Sequence, residues 1–385
     1  MEWVRGATVG RGSFATVSLA VVQDRGDSQL PKLMAVKSAP LFQSSFLQRE
    51  EAILARLQHC PYIIRCFGHD LAGFDDSDEQ YYNLFLEYAS GGTLSDLVRR
   101  SGGSFPEHTV RRFTRSLLEG LRSIHAEGYV HCDIKLQNIL VRSDGDVRIA
   151  DFGLAKKIGD KADDCTLLRG TPIYMSPESV ARNEYEALAD IWSLGCVVAE
   201  TASGRPAWRF SGDEDVWHLL LRIGFGDETP EIPAELSDVG KDFLRRCFAK
   251  DPEKRWTAEM LLGHPFVADS RSFDDDADAV MLPFVSGTAG AECCTLARPS
   301  PSSILDFSQW VSPRSHSPST CSAASLDILT ASPDCCHASP TERISDLATG
   351  QRRPDWSCFS SVGSWIDVRQ VGFVSKPEDS YRLCF

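Results

Sequence analysis

Apolar and polar residues alternate along the first part of the chain with the two-residue period of β-strands. This alternation predicts strands over residues 4–9, 16–21, 33–37 and 82–88. Between the last two strands, the segment 46–57 places Leu47, Leu54 and Leu57 close to one face of a helix. The pattern therefore predicts a small lobe over residues 3–89, made of strands and one helix.

After the last predicted strand, the apolar residues change to helical spacing. Phe113, Leu117, Leu121 and Ile124 recur every three or four residues, as expected of a buried helix. A larger, mainly helical lobe is predicted over residues 90–268. The expected fold class is α+β with two lobes.

The composition of the chain changes after Phe266. An acidic run, Asp274-Asp275-Asp276, leads into a stretch rich in Ser, Pro and small residues. Such a composition buries too little apolar surface to offset chain entropy, so residues 269–342 are expected to be disordered. Aromatic residues return in the segment 343–385, which is a candidate docking segment.

Charge and cysteine content narrow the function classes. The 385-residue chain has a formal net charge of −14, whereas nucleic-acid-binding proteins normally present a basic face, so no nucleic-acid partner is expected. The chain has no apolar run long enough to cross a bilayer and no signal-peptide core, so no membrane association is expected. The 13 cysteines include no CxxC pair and are interpreted as reduced thiols. We expect a cytoplasmic protein, with the nucleus as a second location.

A glycine-rich motif, Gly10-Arg11-Gly12-Ser13-Phe14-Ala15-Thr16-Val17, lies between the first two predicted strands. Glycines there let backbone N–H groups approach the phosphates of a nucleotide without obstruction by side chains. Hairpin turns often contain two such glycines, so the motif is weak by itself. Its position between two strands, rather than before a helix, disfavours a dinucleotide-binding fold.

Lys37 ends the third predicted strand, which is otherwise apolar. Alone, it is more simply interpreted as a surface lysine whose aliphatic stem covers apolar residues. The next predicted helix carries Glu50, an anionic partner suited to hold the lysine toward a triphosphate. Glu51 is the competing candidate. Glu50 is preferred because it shares a face with Leu54, which is expected to point inward.

A second cluster of polar residues is more specific. Asp133, Lys135 and Asn138 lie in one short segment, and Asp151 opens an Asp-Phe-Gly triplet further along. Phosphoryl transfer requires a positioned acceptor and neutralised negative charge, and little covalent chemistry by the protein. Asp133 is suited to orient a hydroxyl and accept its proton, and Lys135 to stabilise the moving phosphoryl group. Asn138 and Asp151 offer oxygen ligands for Mg²⁺.

With these motifs the chain resembles a eukaryotic protein kinase from Val4 to Phe266. The resemblance implies a bilobal kinase fold with an antiparallel sheet in the small lobe, and ATP and Mg²⁺ as cofactors. The implied catalytic residues are Asp133, Lys135, Lys37, Glu50 and Thr171. The implied ATP-binding residues are Val9, Gly10, Arg11, Gly12, Ser13, Phe14, Ala15, Val17, Ala35, Lys37, Leu86, Glu87, Ala89 and Leu140. Among them Glu87 and Ala89 would present hinge backbone groups to adenine.

The run from Gly170 to Glu178 resembles the end of a kinase activation segment. By this resemblance Glu178 pairs with Arg255, and Thr171 braces Asp133 and Lys135. Lys135 and Thr171 are also typical of serine/threonine kinases rather than tyrosine kinases. The implied regulatory residues are Thr166, Thr171, Glu178 and Arg255.

Cys132 is the main departure from the kinase pattern, because an arginine usually precedes the catalytic Asp. That arginine ordinarily holds a phosphorylated activation loop through charge-assisted hydrogen bonds, which cysteine cannot make. We hypothesise that activity depends less on loop phosphate than in most relatives. The alternative is that Cys132 merely fills space. Ala15 and Ser176 are smaller departures, at the third loop glycine and in the Ala-Pro-Glu triplet.

The glycine-rich motif and the segment Ala35-Val36-Lys37-Ser38-Ala39 resemble plant MAP kinase kinase kinases of the MEKK-like group. The resemblance implies that the substrate is a MAP kinase kinase in a stress or hormone cascade. A catalytically silent pseudokinase scaffold is the main alternative, disfavoured because Lys37, Asp133 and Asp151 are all present. A small-molecule or lipid kinase is disfavoured by the activation-segment motifs.

Five Ser-Pro dipeptides follow the predicted domain, at Ser300, Ser312, Ser317, Ser332 and Ser339. Such sites are accessible to proline-directed kinases, and each phosphate would add about two negative charges. Feedback phosphorylation by a downstream MAP kinase is one interpretation. The other is that Ser-Pro pairs are incidental in a Ser/Pro-rich segment.

Overall fold

The small lobe is built on a five-stranded antiparallel sheet with one helix. The computed structural model describes residues 2–12, 15–23, 30–73, 79–160, 168–209 and 215–268. The small-lobe elements are β1 (Trp3–Arg11), β2 (Thr16–Val22), β3 (Leu33–Pro40), α1 (Ser45–Leu57), β4 (Cys66–Gly73) and β5 (Gln80–Glu87). The strand order is β1-β2-β3-β5-β4, so that β5 lies between β3 and β4.

The two faces of this sheet are covered differently. Helix α1 contributes a buried stripe made of Leu47, Glu50, Ile53, Leu54 and Leu57. The opposite face carries a small apolar cluster made of Ala20, Val22, Met34, Val36 and Phe85, with Trp3 and Phe67 packed against it. Because side chains alternate along a strand, Lys37 lies on the face opposite Val36. The fold thus places the strand lysine on the side of the sheet that faces Glu50.

The large lobe is mainly helical. Its elements are β6 (Gly92–Thr93), α2 (Leu94–Arg100), α3 (Glu107–Ala126), β7 (Tyr129–Val130), β8 (Ile139–Val141), β9 (Val147–Ile149), β10 (Lys156–Lys157), α4 (Pro177–Arg182), α5 (Ala187–Ser203), α6 (Val216–Phe225), α7 (Asp238–Cys247), α8 (Ala258–Leu262) and α9 (Pro265–Ala268). Strands β6, β8 and β9 form one small sheet, and β7 pairs with β10.

Helix α5 is the centre of the large lobe, and every residue from Ala189 to Ala202 is buried. Helix α3 packs against α5 and α8. Its apolar stripe at Phe113, Leu117, Leu121 and Ile124 is buried. A helix with apolar residues on all sides has to be buried, and α5 is covered by α3, α7 and β7.

The predicted α+β fold with a strand-rich small lobe and a helical large lobe is confirmed. No helix within the described ranges has the length and apolar character needed to span a membrane. The Ser-Pro dipeptides and the candidate docking segment lie outside the described residues.

Candidate active site

The loop between β7 and β8 is held in place by Asp190, a buried carboxylate on α5. The carboxylate accepts hydrogen bonds from the backbone N–H groups of His131 at 2.9 Å and Cys132 at 3.0 Å. These bonds accompany a φ of 67° at Cys132, a left-handed conformation that costs a non-glycine residue about 1–2 kcal/mol. Gly170 passes so close to this loop that a Cβ atom there would collide with the Cys132 carbonyl oxygen.

Asp133 lies at the centre of a group of four polar side chains. Its Oδ1 accepts a hydrogen bond from Thr171 Oγ1 at 2.8 Å. Its Oδ2 lies 2.8 Å from Lys135 Nζ and accepts from Asn138 Nδ2 at 2.9 Å. Lys135 Nζ also donates to Thr171 Oγ1 at 2.9 Å. The structure therefore brings Asp133, Lys135, Asn138 and Thr171 together, although Thr171 comes from a different loop.

Lys37 makes two ion pairs that join three parts of the fold. Its Nζ lies 2.7 Å from Glu50 Oε2 on α1 and 2.7 Å from Asp151 Oδ1, just after β9. Glu50 is fully buried and also accepts a hydrogen bond from the Phe152 N–H at 3.2 Å. The Lys37 side chain is only 13% exposed, which excludes its interpretation as a surface lysine.

The positive charge of Lys37 and the negative charges of Glu50 and Asp151 favour each other's ionised forms. Burial alone would lower the pKa of Lys37, but the carboxylates of Asp151 and Glu50 raise it above its ordinary value. Desolvation would raise the pKa of Asp151, yet Lys37 holds it well below the usual range. Burial raises the pKa of Glu50, and the charge of Lys37 offsets part of that rise. Lys37 and Asp151 therefore stay charged throughout the neutral pH range.

Asn138 precedes β8 and Asp151 follows β9, and the Ala150 N–H donates to the Asn138 carbonyl at 2.9 Å, so the backbone brings both residues to the same end of the β8–β9 hairpin. Asn138 Nδ2 donates to both the carbonyl and the carboxylate of Asp133, which turns its amide oxygen to the other side. The Asp151 side chain is 49% exposed, with one oxygen on Lys37. An amide and a carboxylate oxygen suit Mg²⁺, which takes few protein ligands and keeps its waters. The pair therefore fits the metal that the resemblance implies.

The glycine-rich motif forms the turn between β1 and β2. Gly10 pairs with Val17 across the hairpin, and the Gly12 N–H donates to the Ala15 carbonyl at 2.8 Å. Gly10 and Ala15 are buried, whereas Val9, Arg11 and Gly12 are exposed. Ser13 and Phe14 lie outside the described residues.

Four of the implied ATP-binding residues, Val17, Ala35, Lys37 and Leu86, lie on one face of the small-lobe sheet. Val17 pairs with Lys37 and Ala35 pairs with Leu86, so all four side chains share a face. Leu140 is half-buried on β8, in the large lobe. The implied ATP-binding residues are thus divided between the sheet of the small lobe and strand β8 of the large lobe.

Some polar groups of the hinge residues Glu87 and Ala89 already have partners within the protein. The Glu87 N–H donates to the Arg65 carbonyl at 2.8 Å, and the Ala89 carbonyl accepts from the Gly92 N–H at 3.2 Å. The Glu87 carboxylate lies 3.4 Å from Nε of Arg142, which follows β8. This ion pair joins the two lobes beside the hinge.

Glu178 and Arg255 form a buried, two-pronged ion pair. Arg255 Nη1 and Nη2 donate to the two carboxylate oxygens of Glu178 at 2.5 Å and 3.0 Å. Arg255 also donates to the carbonyls of Leu188 at 2.8 Å and Ala249 at 3.0 Å. The pair anchors the end of the activation segment to the large lobe. Thr166 lies outside the described residues.

Two buried carboxylates were not singled out as site residues from the sequence. Asp190 holds the catalytic loop, and Glu200 accepts a 2.5 Å hydrogen bond from the hydroxyl of Tyr174 in the activation segment. Both lie on α5, which is otherwise mostly apolar. An acidic residue inside an apolar helical run is the sequence signal that marks them, because an ionisable side chain is rarely buried without a partner.

Glu200 is expected to make stability depend on pH. Burial raises its pKa from 4.5 to about 7, against which the hydrogen bond from Tyr174 acts. The folded protein keeps this proton to higher pH than the unfolded chain, so the stabilising contribution is complete below about pH 4.5 and is lost as pH rises through about 7. Relative to wild type, a Glu200→Gln variant should gain on the order of 3 kcal/mol in free energy of unfolding between about pH 5 and 8.

Urea denaturation of the two proteins across this pH range measures the difference. Glu253→Gln, which changes an exposed glutamate, is the matched control and should run parallel to wild type. Parallel curves for Glu200→Gln would contradict the prediction.

Comparison with known proteins places these observations in one family. The sequence matches the family described as "Protein kinase domain" over residues 3–267. The chain therefore belongs to the protein kinase family.

Relatives define the type of kinase more closely. The chain is 44% identical over 385 residues to mitogen-activated protein kinase kinase kinase 20 of Arabidopsis thaliana, covering 96% of this chain and 100% of that protein. It is 38% identical over 312 residues to mitogen-activated protein kinase kinase kinase 17 of the same plant, covering 80% of this chain and 77% of the relative. It is 32% identical over 293 residues to mitogen-activated protein kinase kinase kinase A of Dictyostelium discoideum, covering 75% of this chain and 29% of that protein. The protein is an ATP-dependent serine/threonine kinase of the MAP kinase kinase kinase type, which confirms the resemblance found in its sequence.

Proposed function

We propose that this kinase phosphorylates MAP kinase kinases on serine or threonine residues of their activation segments, within a stress or hormone cascade. The observation that carries the proposal is the 44% identity, over 96% of the chain, to a relative named as a MAP kinase kinase kinase. The buried Lys37–Glu50 ion pair and the group around Asp133 support catalytic activity.

In the proposed reaction, the substrate hydroxyl oxygen forms a bond to the γ-phosphorus of ATP. The bond from that phosphorus to the β–γ bridging oxygen breaks, and ADP leaves with the electron pair. Asp133 orients the hydroxyl and accepts its proton, and Lys135, 2.8 Å from Asp133, stabilises negative charge on the moving group. Lys37, held by Glu50, binds the nucleotide phosphates.

Asn138 and Asp151 would hold the Mg²⁺ that accompanies ATP, which supplies charge neutralisation at the phosphates. Asn138 and Asp151 also hold two other side chains of the site in position. Asn138 fixes the Asp133 carboxylate through its amide, and Asp151 fixes the Lys37 ammonium group.

The test is a phosphorylation assay against a panel of catalytically inactive MAP kinase kinases. We expect phosphate on serine or threonine of the activation segment in at least one member, and none when those residues are replaced by alanine. Lys37→Met protein is the inactive control. Binding of a panel member without phosphate transfer would contradict the proposal and favour the pseudokinase scaffold.

Cys132 bears on how the kinase is activated. Burial raises the pKa of its thiol well above the ordinary value, and Sγ donates weakly to the Val130 carbonyl at 3.6 Å. A neutral thiol offers no cation to a phosphate, whereas an arginine would. We therefore propose that the active arrangement of Asp133 and Thr171 does not depend on a phosphate at Thr166.

Replacing Thr166 with alanine is expected to retain activity within about threefold, because no arginine precedes Asp133 to bind its phosphate. Thr171→Ala should lose far more, since its hydroxyl bonds both Asp133 and Lys135. Initial rates of the two variants on one substrate give the comparison. Complete loss of activity with Thr166→Ala alone would overturn the hypothesis.

The Ser-Pro sites beyond residue 268 are proposed targets of a downstream MAP kinase. The support is their sequence, since proline follows each of the five serines. After incubation of the full-length kinase with an active MAP kinase, we expect mass spectrometry to find phosphate on these serines. Unmodified sites would contradict the feedback.

A further inference from the structure

Two adjacent carboxylates on α1 reach different strands of the small lobe. Glu50 is bonded to Lys37 on β3. An α-helix turns by about 100° per residue, so Glu51 points elsewhere. Its carboxylate lies 2.9 Å from His69 Nδ1 on β4 and accepts a short hydrogen bond from the Tyr82 hydroxyl on β5. The residue that competed with Glu50 in the sequence thus contacts the far half of the same sheet.

The two partners of Glu51 contact each other, and His69 is the more exposed of the two, with its side chain 44% exposed. Tyr82 is only 5% exposed, and its ring stacks on that of His69 with centroids 4.6 Å apart and planes 15° apart. Burial, together with the hydrogen bond to Glu51, raises the pKa of Tyr82. The hydroxyl therefore remains a protonated donor at neutral pH. Glu51 itself is largely covered, with its side chain 23% exposed.

Because Glu50 and Glu51 bind different strands of the sheet, their contacts together restrict the rotation of α1. Strand β5 lies between β3, which carries Lys37, and β4, which carries His69. The apolar contacts of α1 are non-directional, so they define its rotation less sharply than hydrogen bonds do. Hydrogen bonds are directional, so two carboxylates about 100° apart that bind separate strands fix the rotation of the helix. Withdrawal of Glu50 from Lys37 by such a rotation would also break the contact of Glu51.

We propose that Glu51 is a positioning residue of this kinase, which keeps Glu50 on Lys37 by anchoring α1 to Tyr82 and His69. It touches neither nucleotide nor substrate and acts through the Lys37–Glu50 pair. Loss of the anchor leaves a folded protein in which the fraction of molecules with α1 correctly rotated falls.

Kinetics of single and double variants test the proposal. Glu51→Ala is expected to lower kcat/KM by about tenfold to a hundredfold, and Tyr82→Phe by about tenfold. Because both remove the same hydrogen bond, the double variant should lose about as much as Glu51→Ala alone. Arg49→Ala, an exposed change on the same helix, should stay within about twofold of wild type.

Two conservative variants separate positioning from charge and from misfolding. Glu51→Gln keeps the length of the side chain and an oxygen that accepts from Tyr82, so activity should largely recover. Glu51→Asp keeps the charge but is one methylene shorter, so activity should stay low. Rates are expressed per ADP-binding site, which removes any contribution from unfolded protein. Three results would each overturn the proposal. The first is a wild-type rate for Glu51→Ala, and the second is a double variant whose loss equals the product of the two single losses. The third is activity that recovers in Glu51→Asp but not in Glu51→Gln.

Discussion

Replacing Asp133 with asparagine is expected to lower kcat by about 10²–10⁴-fold while the protein remains folded. The amide cannot accept the proton of the substrate hydroxyl. Both oxygens of Asp133 face donors, Oδ1 the Thr171 hydroxyl and Oδ2 the side chains of Lys135 and Asn138. Whichever way the asparagine amide is turned, its NH₂ group therefore faces a donor instead of an acceptor. The hydroxyl acceptor therefore loses both its orientation and its base.

Transfer of labelled γ-phosphate to a protein substrate measures this loss. Nucleotide binding, measured by the ADP-induced shift in melting temperature, should stay near the wild-type value, because the role proposed for Asp133 concerns the acceptor hydroxyl and not ATP. Asp227→Asn changes an exposed carboxylate and serves as the control. An Asp133→Asn protein within about tenfold of wild-type turnover would contradict its assignment as the base.

Removing the guanidinium of Arg255 is expected to give the largest loss of stability, about 3–5 kcal/mol in the free energy of unfolding. Arg255→Met leaves the Glu178 carboxylate buried without its partner and removes the hydrogen bonds from Arg255 to the carbonyls of Leu188 and Ala249. Adding Glu178→Gln should recover part of the loss, since the uncompensated charge is then absent.

Urea denaturation of the single and double variants gives these values. Arg205→Met is the matched control, because its partner Glu235 is exposed and such pairs contribute at most about 1 kcal/mol. Equal losses for Arg205→Met and Arg255→Met would show that burial of the Glu178–Arg255 pair is not what stabilises the activation segment.

Four strands of the small lobe, β1, β2, β3 and β5, and helix α1 could be predicted from the sequence because their apolar residues repeat with a clear period. Strand β4 could not, since the segment Cys66–Gly73 is mostly half-buried or exposed. It contains Gly68 at φ 99°, where the pairing with β5 shifts by one residue. Such a bulge interrupts the alternation on which strand prediction depends.

Some contacts of the site could likewise be predicted from the sequence, and others could not. Lys37 and Glu50 could be paired from the sequence because helical geometry decides which of two neighbouring glutamates faces inward. The contacts of Asp190 with His131 and of Glu51 with Tyr82 could not, because they join residues 59 and 31 positions apart. No local period carries that information. Only the assembled sheet and helices bring these groups together.

Position 132 contributes to the active site through its main chain. Asp190 binds its N–H and the loop takes its left-handed turn there, while the side chain reaches no further than the Val130 carbonyl. Chemistry and control are therefore separable at a single residue. On our proposal that activity does not depend on a phosphate at Thr166, the cysteine side chain frees this kinase from an activator that phosphorylates the loop, while the main-chain contacts of the loop stay in place. For a protein released in this way, signal strength follows the number of molecules present, and its synthesis and degradation become the points of control.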